Sequence, residues 1–346
     1  MFQNRIRYYD FLRCFAIILV IAVHSFSGAF ADRNLSLLGI ALRNLCNVAV
    51  PIFLALSGFF MASKQAESAN YFVLLKKQII RVWIPVVFYS LPLFVLDIMH
   101  GRTIVKSLTN LCICGYSVYY FVAVIIQCYL LLPLLNHLYS NKNHHYRVLI
   151  LLTLIVSIIG WSVVTYVFTK QNITLPVILY AGGGWMWFCF FALGFYIGKE
   201  NAYGSLKLWK ISALLTFILC IIESLFLIIP GQLNGLGQKP TTMLFSFCFI
   251  PLLLSERVKF FFESIQSRIF DFFAKIGFYS FGIYLIHCYI LIFLNSYVKK
   301  HLQMFCGQNG FFQWLLLIVV TLLVSFSILW ICKRLFPRFT RLFLGV

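Results

Sequence analysis

Asp10-Phe11-Leu12-Arg13-Cys14-Phe15-Ala16-Ile17-Ile18-Leu19-Val20-Ile21-Ala22-Val23-His24 is the stretch whose reading decides the fold. It opens an apolar segment, 11–31, that is long enough to cross a bilayer as a helix, which takes about 20 residues. Nine segments of the same kind follow, at 45–62, 82–100, 117–138, 147–168, 180–198, 208–229, 241–254, 273–295 and 311–332. They are continuously apolar and lack the alternation of a lipid-facing barrel strand. An all-α, polytopic membrane protein with about ten transmembrane helices is therefore expected.

Composition agrees. Of 346 residues, 62% are hydrophobic and 11% charged, whereas a soluble domain is about a quarter charged because its surface faces water. The longest polar stretches, 64–77, 141–146, 199–210 and 255–267, are too short to bury a core. One transmembrane domain over 1–346 is the expectation.

A net charge of +19 raises the question of nucleic acid. The distribution of the charge answers it. With the N-terminus inside, 20 of the 28 Lys and Arg fall in cytoplasmic segments and 8 outside, the asymmetry that orients membrane proteins. Ten spans with both termini cytoplasmic follow, with membrane lipids as the partner of the charge and no nucleic acid. Ala29-Phe30-Ala31 mimics a signal-peptide cleavage site, but the apolar region is too long and carries Arg13 and His24, so the first span is expected to stay. The eleven cysteines are scattered without paired metal-ligand spacing. Cys112-x-Cys114 reads as structurally silent, with a bridge to Cys306 as the alternative.

Ionisable residues inside a bilayer are costly and mark function by default. Arg13 and His24 are eleven residues apart, close to three helical turns, and so share one face roughly 16 Å apart along the axis. Asp10 lies one turn below Arg13 and can pair with it. The structural alternative is that Arg13 reaches to the interface and His24 bonds a neighbouring helix. Glu223 in the seventh span and His287 in the ninth fall at the depth of His24, toward the outer leaflet. Gln127 in the fourth span is placed to join them. Imidazoles near a carboxylate suit general acid–base chemistry on a hydroxyl. They also suit a proton relay in a transporter.

Other signals are more ambiguous. Ser57-Gly58 in the second span reads first as close helix packing. Gly182-Gly183-Gly184 before Trp185 reads as backbone bent around a cavity and not as a nucleotide fingerprint. Lys76-Lys77-Gln78-Ile79-Ile80-Arg81 is a basic juxtamembrane cluster that serves either anionic lipid or the phosphates of a soluble anionic ligand.

Asp10-Phe11-Leu12-Arg13, ten residues and His24 resemble the signature of membrane acyltransferase family 3. Pro51-Ile52-Phe53-Leu54-Ala55-Leu56-Ser57-Gly58 looks like that family's second span, and the segment ending Arg81 and Pro85 like its basic motif. Tyr119-Tyr120-Phe121 with Pro133 resembles its fourth span, 190–198 its sixth, and Ser280-Phe281-Gly282-Ile283-Tyr284-Leu285-Ile286-His287 its ninth. Two departures stand out: Gln78 replaces the first arginine of the basic motif, and tyrosine replaces tryptophan in the fourth span.

The resemblance implies an O-acyltransferase that takes acetyl-CoA from the cytoplasm as co-substrate and needs no metal or bound cofactor. Its acceptor would be a glycan or glycolipid of the cell envelope, at a bacterial inner membrane. His24 would be the general base, with Asp10 holding Arg13. Arg13, Lys76, Lys77 and Arg81 would bind CoA. Glu223 would tune His24, and His287, Gln127 and Ser57 would line the acceptor side. A transporter or flippase for a lipid-linked intermediate is the competing reading, weakened because the two halves show no internal repeat. A scaffold without chemistry leaves the correlated intramembrane Arg, His and Glu unexplained.

Overall fold

The computed structural model describes residues 6–30, 37–67, 70–141, 143–168, 177–200, 204–226, 238–265, 267–301 and 310–346. Every regular element among them is helical: α1 (Arg7–Phe30), α2 (Leu37–Leu45), α3 (Ala49–Glu67), α4 (Tyr71–Met99), α5 (Ile104–Cys112), α6 (Tyr120–Leu130), α7 (Leu132–Asn141), α8 (Asn143–Ser162), α9 (Val177–Tyr180), α10 (Phe188–Glu200), α11 (Leu206–Phe226), α12 (Pro240–Leu253), α13 (Glu256–Ser264), α14 (Arg268–Phe278), α15 (Ser280–His301), α16 (Gly310–Leu335) and α17 (Pro337–Phe343). The all-α expectation holds.

Local chemistry sets several of the boundaries. Asn70 caps α4, its side-chain oxygen accepting from the backbone N–H groups of Phe72 (3.0 Å) and Val73 (3.4 Å). Such a bond satisfies amides that have no partner in the first turn. Ser255 and Ser267 cap α13 and α14 in the same way. At α12 the fixed φ of Pro240 starts the helix, where a missing N–H costs nothing.

Six helical stretches are long and apolar enough to cross a membrane: Arg7–Phe26, Gly39–Lys64, Tyr71–Met99, His145–Phe168, Leu206–Phe226 and Gly310–Leu335. Two further pairs pass the same test together but are bent, Ile104–Cys112 with Ser117–Leu130 by 51° and Arg268–Phe278 with Ser280–Ser296 by 76°. Among the described residues six to eight stretches are thus candidate spans by length and composition, where ten are expected from sequence. Part of the difference is length. The 14 residues of α12 rise roughly 21 Å, short of the ~30 Å hydrocarbon core. Another part is the bends. Cys114 (φ 57°) and Ser117 (φ 50°) take up left-handed conformations between α5 and α6, which interrupt a right-handed helix. Cys112 and Cys114 are free thiols, and Cys306 lies outside the described residues, as does Ala31 of the cleavage-site mimic.

The chain packs as two compact units, one of residues 1–53, 203–341 and 346 and one of 54–202 and 342–345. In the first unit α1 is the central helix, in contact with α2, α13, α14, α15 and α16. Tyr8, Leu12, Ala16, Ile17, Ile21 and Phe26 are its buried apolar face. α11 packs on α12 and α2 and leaves Leu208, Leu214 and Leu215 outward, as lipid-facing helices do.

In the second unit, glycines bring helices together. A Cβ on Gly194 of α10 would fall 2.6 Å from the carbonyl carbon of Ala55 on α3, and one on Gly198 would fall 2.7 Å from the Phe59 carbonyl oxygen. Small residues at such seams let backbones touch. The structural reading of Gly58 is thereby met, since a Cβ there would lie 2.9 Å from Phe195 N.

Candidate active site

α1 positions three of the residues singled out by spacing. The Arg13 guanidinium donates from Nη1 to Asp10 Oδ1 at 2.5 Å, one turn apart. Asp10 is buried and Arg13 half-buried. Gly277 of α14 makes room for this turn, because a Cβ there would run into the Asp10 backbone carbonyl.

Farther along α1, Trp314 of α16 donates its indole N–H to the Ala22 carbonyl at 2.9 Å and packs edge-on against Phe26 at 5.1 Å. These contacts fix the turn that carries His24. The His24 ring meets the His287 ring at a centroid separation of 5.3 Å and a tilt of 47°. His287 is fully buried on α15. Its Nδ1 lies 2.6 Å from the Tyr284 carbonyl oxygen, a pure acceptor, so the neutral ring carries its proton on Nδ1. Nε2 is then the basic nitrogen, with Cys288 Sγ at 3.3 Å.

Glu223 lies on α11, in the same unit. Its Oε2 accepts from the Thr241 backbone N–H at 3.2 Å and from the Thr241 hydroxyl. Two cations that the sequence analysis did not single out, Arg43 on α2 and Lys239 at the start of α12, stand in its surroundings. Lys239 lies within electrostatic reach of Glu223 and Arg43, and Arg43 acts in turn on His24. Arg43 lies one turn before Asn47, and Lys239 directly precedes Pro240. Those positions are the only sequence signals the two residues give.

The remaining candidates belong to the second unit. Lys76, Lys77 and Arg81 are exposed along α4. Gln78, which stands where the resembled motif has arginine, is buried and accepts from Lys64 Nζ at 3.4 Å. Ser57 is half-buried on α3 beside Gly58.

Gln127 on α6 is used as a brace. Its amide N–H₂ donates to the Gly182 carbonyl at 2.8 Å, and its amide oxygen accepts from the Gly184 N–H at 2.8 Å. One side chain thereby satisfies one acceptor and one donor of the glycine loop, backbone groups that need partners when taken from water. Gln127→Leu removes both partners at once. A drop in stability of about 1–3 kcal/mol is expected from unmet backbone groups, read as a lower melting temperature of the detergent-solubilised protein. An unchanged melting temperature would show that the loop does not depend on this amide.

A family model described as an acyltransferase domain matches residues 6–330. No curated protein matches the chain, and no solved structure does.

Proposed function

Because the chain belongs to acyltransferase family 3, we propose that it moves an acetyl group from cytoplasmic acetyl-CoA to a hydroxyl of a cell-envelope polysaccharide or a lipid-linked sugar. The observation that carries this reading is the His24 imidazole, 5.3 Å from that of His287 on α15, on a helix whose first turns hold the Asp10–Arg13 ion pair. A base for the acceptor and a cation for the donor thus share α1.

The chemistry asked of these residues is modest. His24 takes the proton of the acceptor hydroxyl as its oxygen attacks the thioester carbonyl. The new C–O bond forms, the C–S bond breaks, and the CoA thiolate leaves with a proton. His287 can receive charge only at Nε2, since Tyr284 holds Nδ1–H. That makes its Nε2 the nitrogen that can take up a proton from His24. General acid–base assistance of this kind contributes about 10²–10⁴-fold to a rate.

On the donor side, Arg13 is oriented by Asp10. Exposed Lys76, Lys77 and Arg81 offer charge to the phosphates of CoA, to which cations bind through charge-assisted bonds. Lys64, brought to Gln78, supplies a cation where the basic motif lacks its first arginine. Ser57 remains a candidate for the acceptor side. Gln127 contributes by shaping the glycine loop, and Glu223 through Thr241 and the cations around it. A bacterial inner membrane fits a donor drawn from the cytoplasm and an acceptor bound for the envelope.

The test is acetyl transfer by the purified full chain from labelled acetyl-CoA into a glycolipid extract of the native host. Label in the extract supports the reading. A protein that moves no label, and neither binds nor hydrolyses acetyl-CoA, defeats it.

A further inference from the structure

α14 and α16 meet along a seam that is aromatic in its middle and basic at its end. Phe326 of α16 packs edge-on against Phe272 of α14 and Tyr279 at its end, with ring centroids 6.0 and 5.3 Å away. One turn beyond Phe326 comes Trp330, whose ring is shared by two cations. The Arg334 guanidinium carbon lies over it at 4.2 Å from the centroid, and Lys275 Nζ of α14 at 5.6 Å. Lys275 and Arg334 are therefore no farther apart than the sum of those distances. Lys333 sits over the Phe278 ring at 3.9 Å and the Tyr279 ring at 5.3 Å. The spacing explains the grouping. Phe326, Trp330, Lys333 and Arg334 recur at three and four residues along α16, as Lys275, Phe278 and Tyr279 do along α14.

Among the described residues no carboxylate pairs with Lys275 or Arg334. The carboxylate one turn before Lys275, Asp271, pairs with Arg7 at 2.8 Å. Lys275 and Arg334 are both exposed, so their charge is open to a ligand. Stacking leaves the guanidinium usable, because its N–H donors lie in its own plane and point past the edge of the indole. Two of them match two oxygens of one phosphate.

The neighbourhood decides which phosphate. Arg334 belongs to the last turn of α16, an apolar stretch long enough to cross a membrane. The cluster therefore stands at the level where headgroups lie and where aromatic and basic side chains gather. Ile331 and Leu335 of α16 and Phe272 of α14 turn apolar surface outward beside the cations. A soluble phosphate gains nothing from that surface, whereas the acyl chains of a phospholipid cover it. Basic pockets between membrane helices take anionic headgroups in this way.

We infer that Lys275, Arg334 and Trp330, with Lys333 beside them, form a binding site for the phosphodiester of an anionic phospholipid, which ties α14 to α16. Such a site stands whether or not the chain transfers acetyl groups.

Three probes decide it: phosphatidylglycerol, zwitterionic phosphatidylcholine with the same acyl chains, and inorganic phosphate. Each is titrated into the full chain in non-ionic detergent at constant ionic strength, with affinity read from the rise in melting temperature. Phosphatidylglycerol is expected to raise it, and the other two are not. Lys275→Gln combined with Arg334→Gln is expected to weaken phosphatidylglycerol at least about tenfold. Arg334→Lys should weaken it by less, since it keeps the charge and loses the fork. Lys207→Gln combined with Lys210→Gln removes two exposed cations from α11 and is expected to leave the affinity as it was. If the Lys275 and Arg334 double variant does not fold, each single substitution is read in its place. No stabilisation by phosphatidylglycerol, equal stabilisation by phosphatidylcholine, full affinity in the folded Lys275 and Arg334 variants, or the same loss in the α11 control overturns the proposal. Stabilisation by inorganic phosphate that Arg334→Gln abolishes also overturns it, since the group recognised is then a soluble phosphate.

Discussion

His24→Ala is expected to lower acetyl transfer by about 10²–10⁴-fold, the usual worth of a positioned general base, with the protein still folded. The size follows from placement. The ring sits where α1 is anchored by the Trp314 indole on Ala22, against the buried ring of His287. Removing the imidazole takes away the α1 ring that stands against His287. Labelled transfer, with gel filtration and melting temperature as controls for folding, reads the effect. His24→Ala turning over at the wild-type rate would end the assignment of the base. Arg13→Gln separates the two ends of the helix: its expected signature is a raised KM for acetyl-CoA, since Arg13 is assigned to the donor. A variant with unchanged KM and reduced kcat would instead place Arg13 near the reacting atoms.

Gly277→Val is expected to cost stability and donor affinity together. A Cβ at this position overlaps the Asp10 carbonyl, lies 2.6 Å from its carbon and is 3.0 Å from Cys14 N. Those are main-chain atoms of a neighbouring helix and cannot swing away as a side chain would. α14 and α1 must separate, and two more methyl groups widen the gap. Overpacking of this kind costs about 1–3 kcal/mol, occasionally more. The displaced turn is the one that carries Asp10 and Arg13, so the KM for acetyl-CoA should rise as the melting temperature falls. A melting temperature within a degree of wild type would show that the helices are not in backbone contact.

Much of this was legible in the sequence, for reasons that differ by residue. The pairing of Asp10 with Arg13 follows from one helical turn and needs no tertiary knowledge. The meeting of His24 with His287 was open to argument from depth, because helices of similar tilt place equal depths side by side. For Glu223 depth alone names no partner. Depth says nothing about which side of a helix faces which neighbour, and α11 turns this carboxylate to Thr241 at the start of α12. Arg43 and Lys239 were counted among eight cations of the outer loops with nothing to tell them apart, since burial of a loop lysine has no signature in composition. Gln127 looked like a ligand-facing amide because its partners, Gly182 and Gly184, are backbone groups 55 and 57 residues away. The family's motif pattern was the most readable feature, and the match over residues 6–330 agrees with it. The number of spans was less readable. Hydropathy sees 273–295 as one run, whereas the chain turns by 76° inside it, between α14 and α15.

That turn has a geometric meaning. Gly277 sets α14 against α1 through backbone contact, so the seam between those two helices places the Asp10–Arg13 pair. Tyr279 lies between α14 and α15, and α15 carries His287 eight residues beyond it. The 76° change of direction sends the second half of one apolar run away from the first. One run of sequence thereby serves both ends of α1: its first half seats the ion pair, and its second half brings an imidazole to His24.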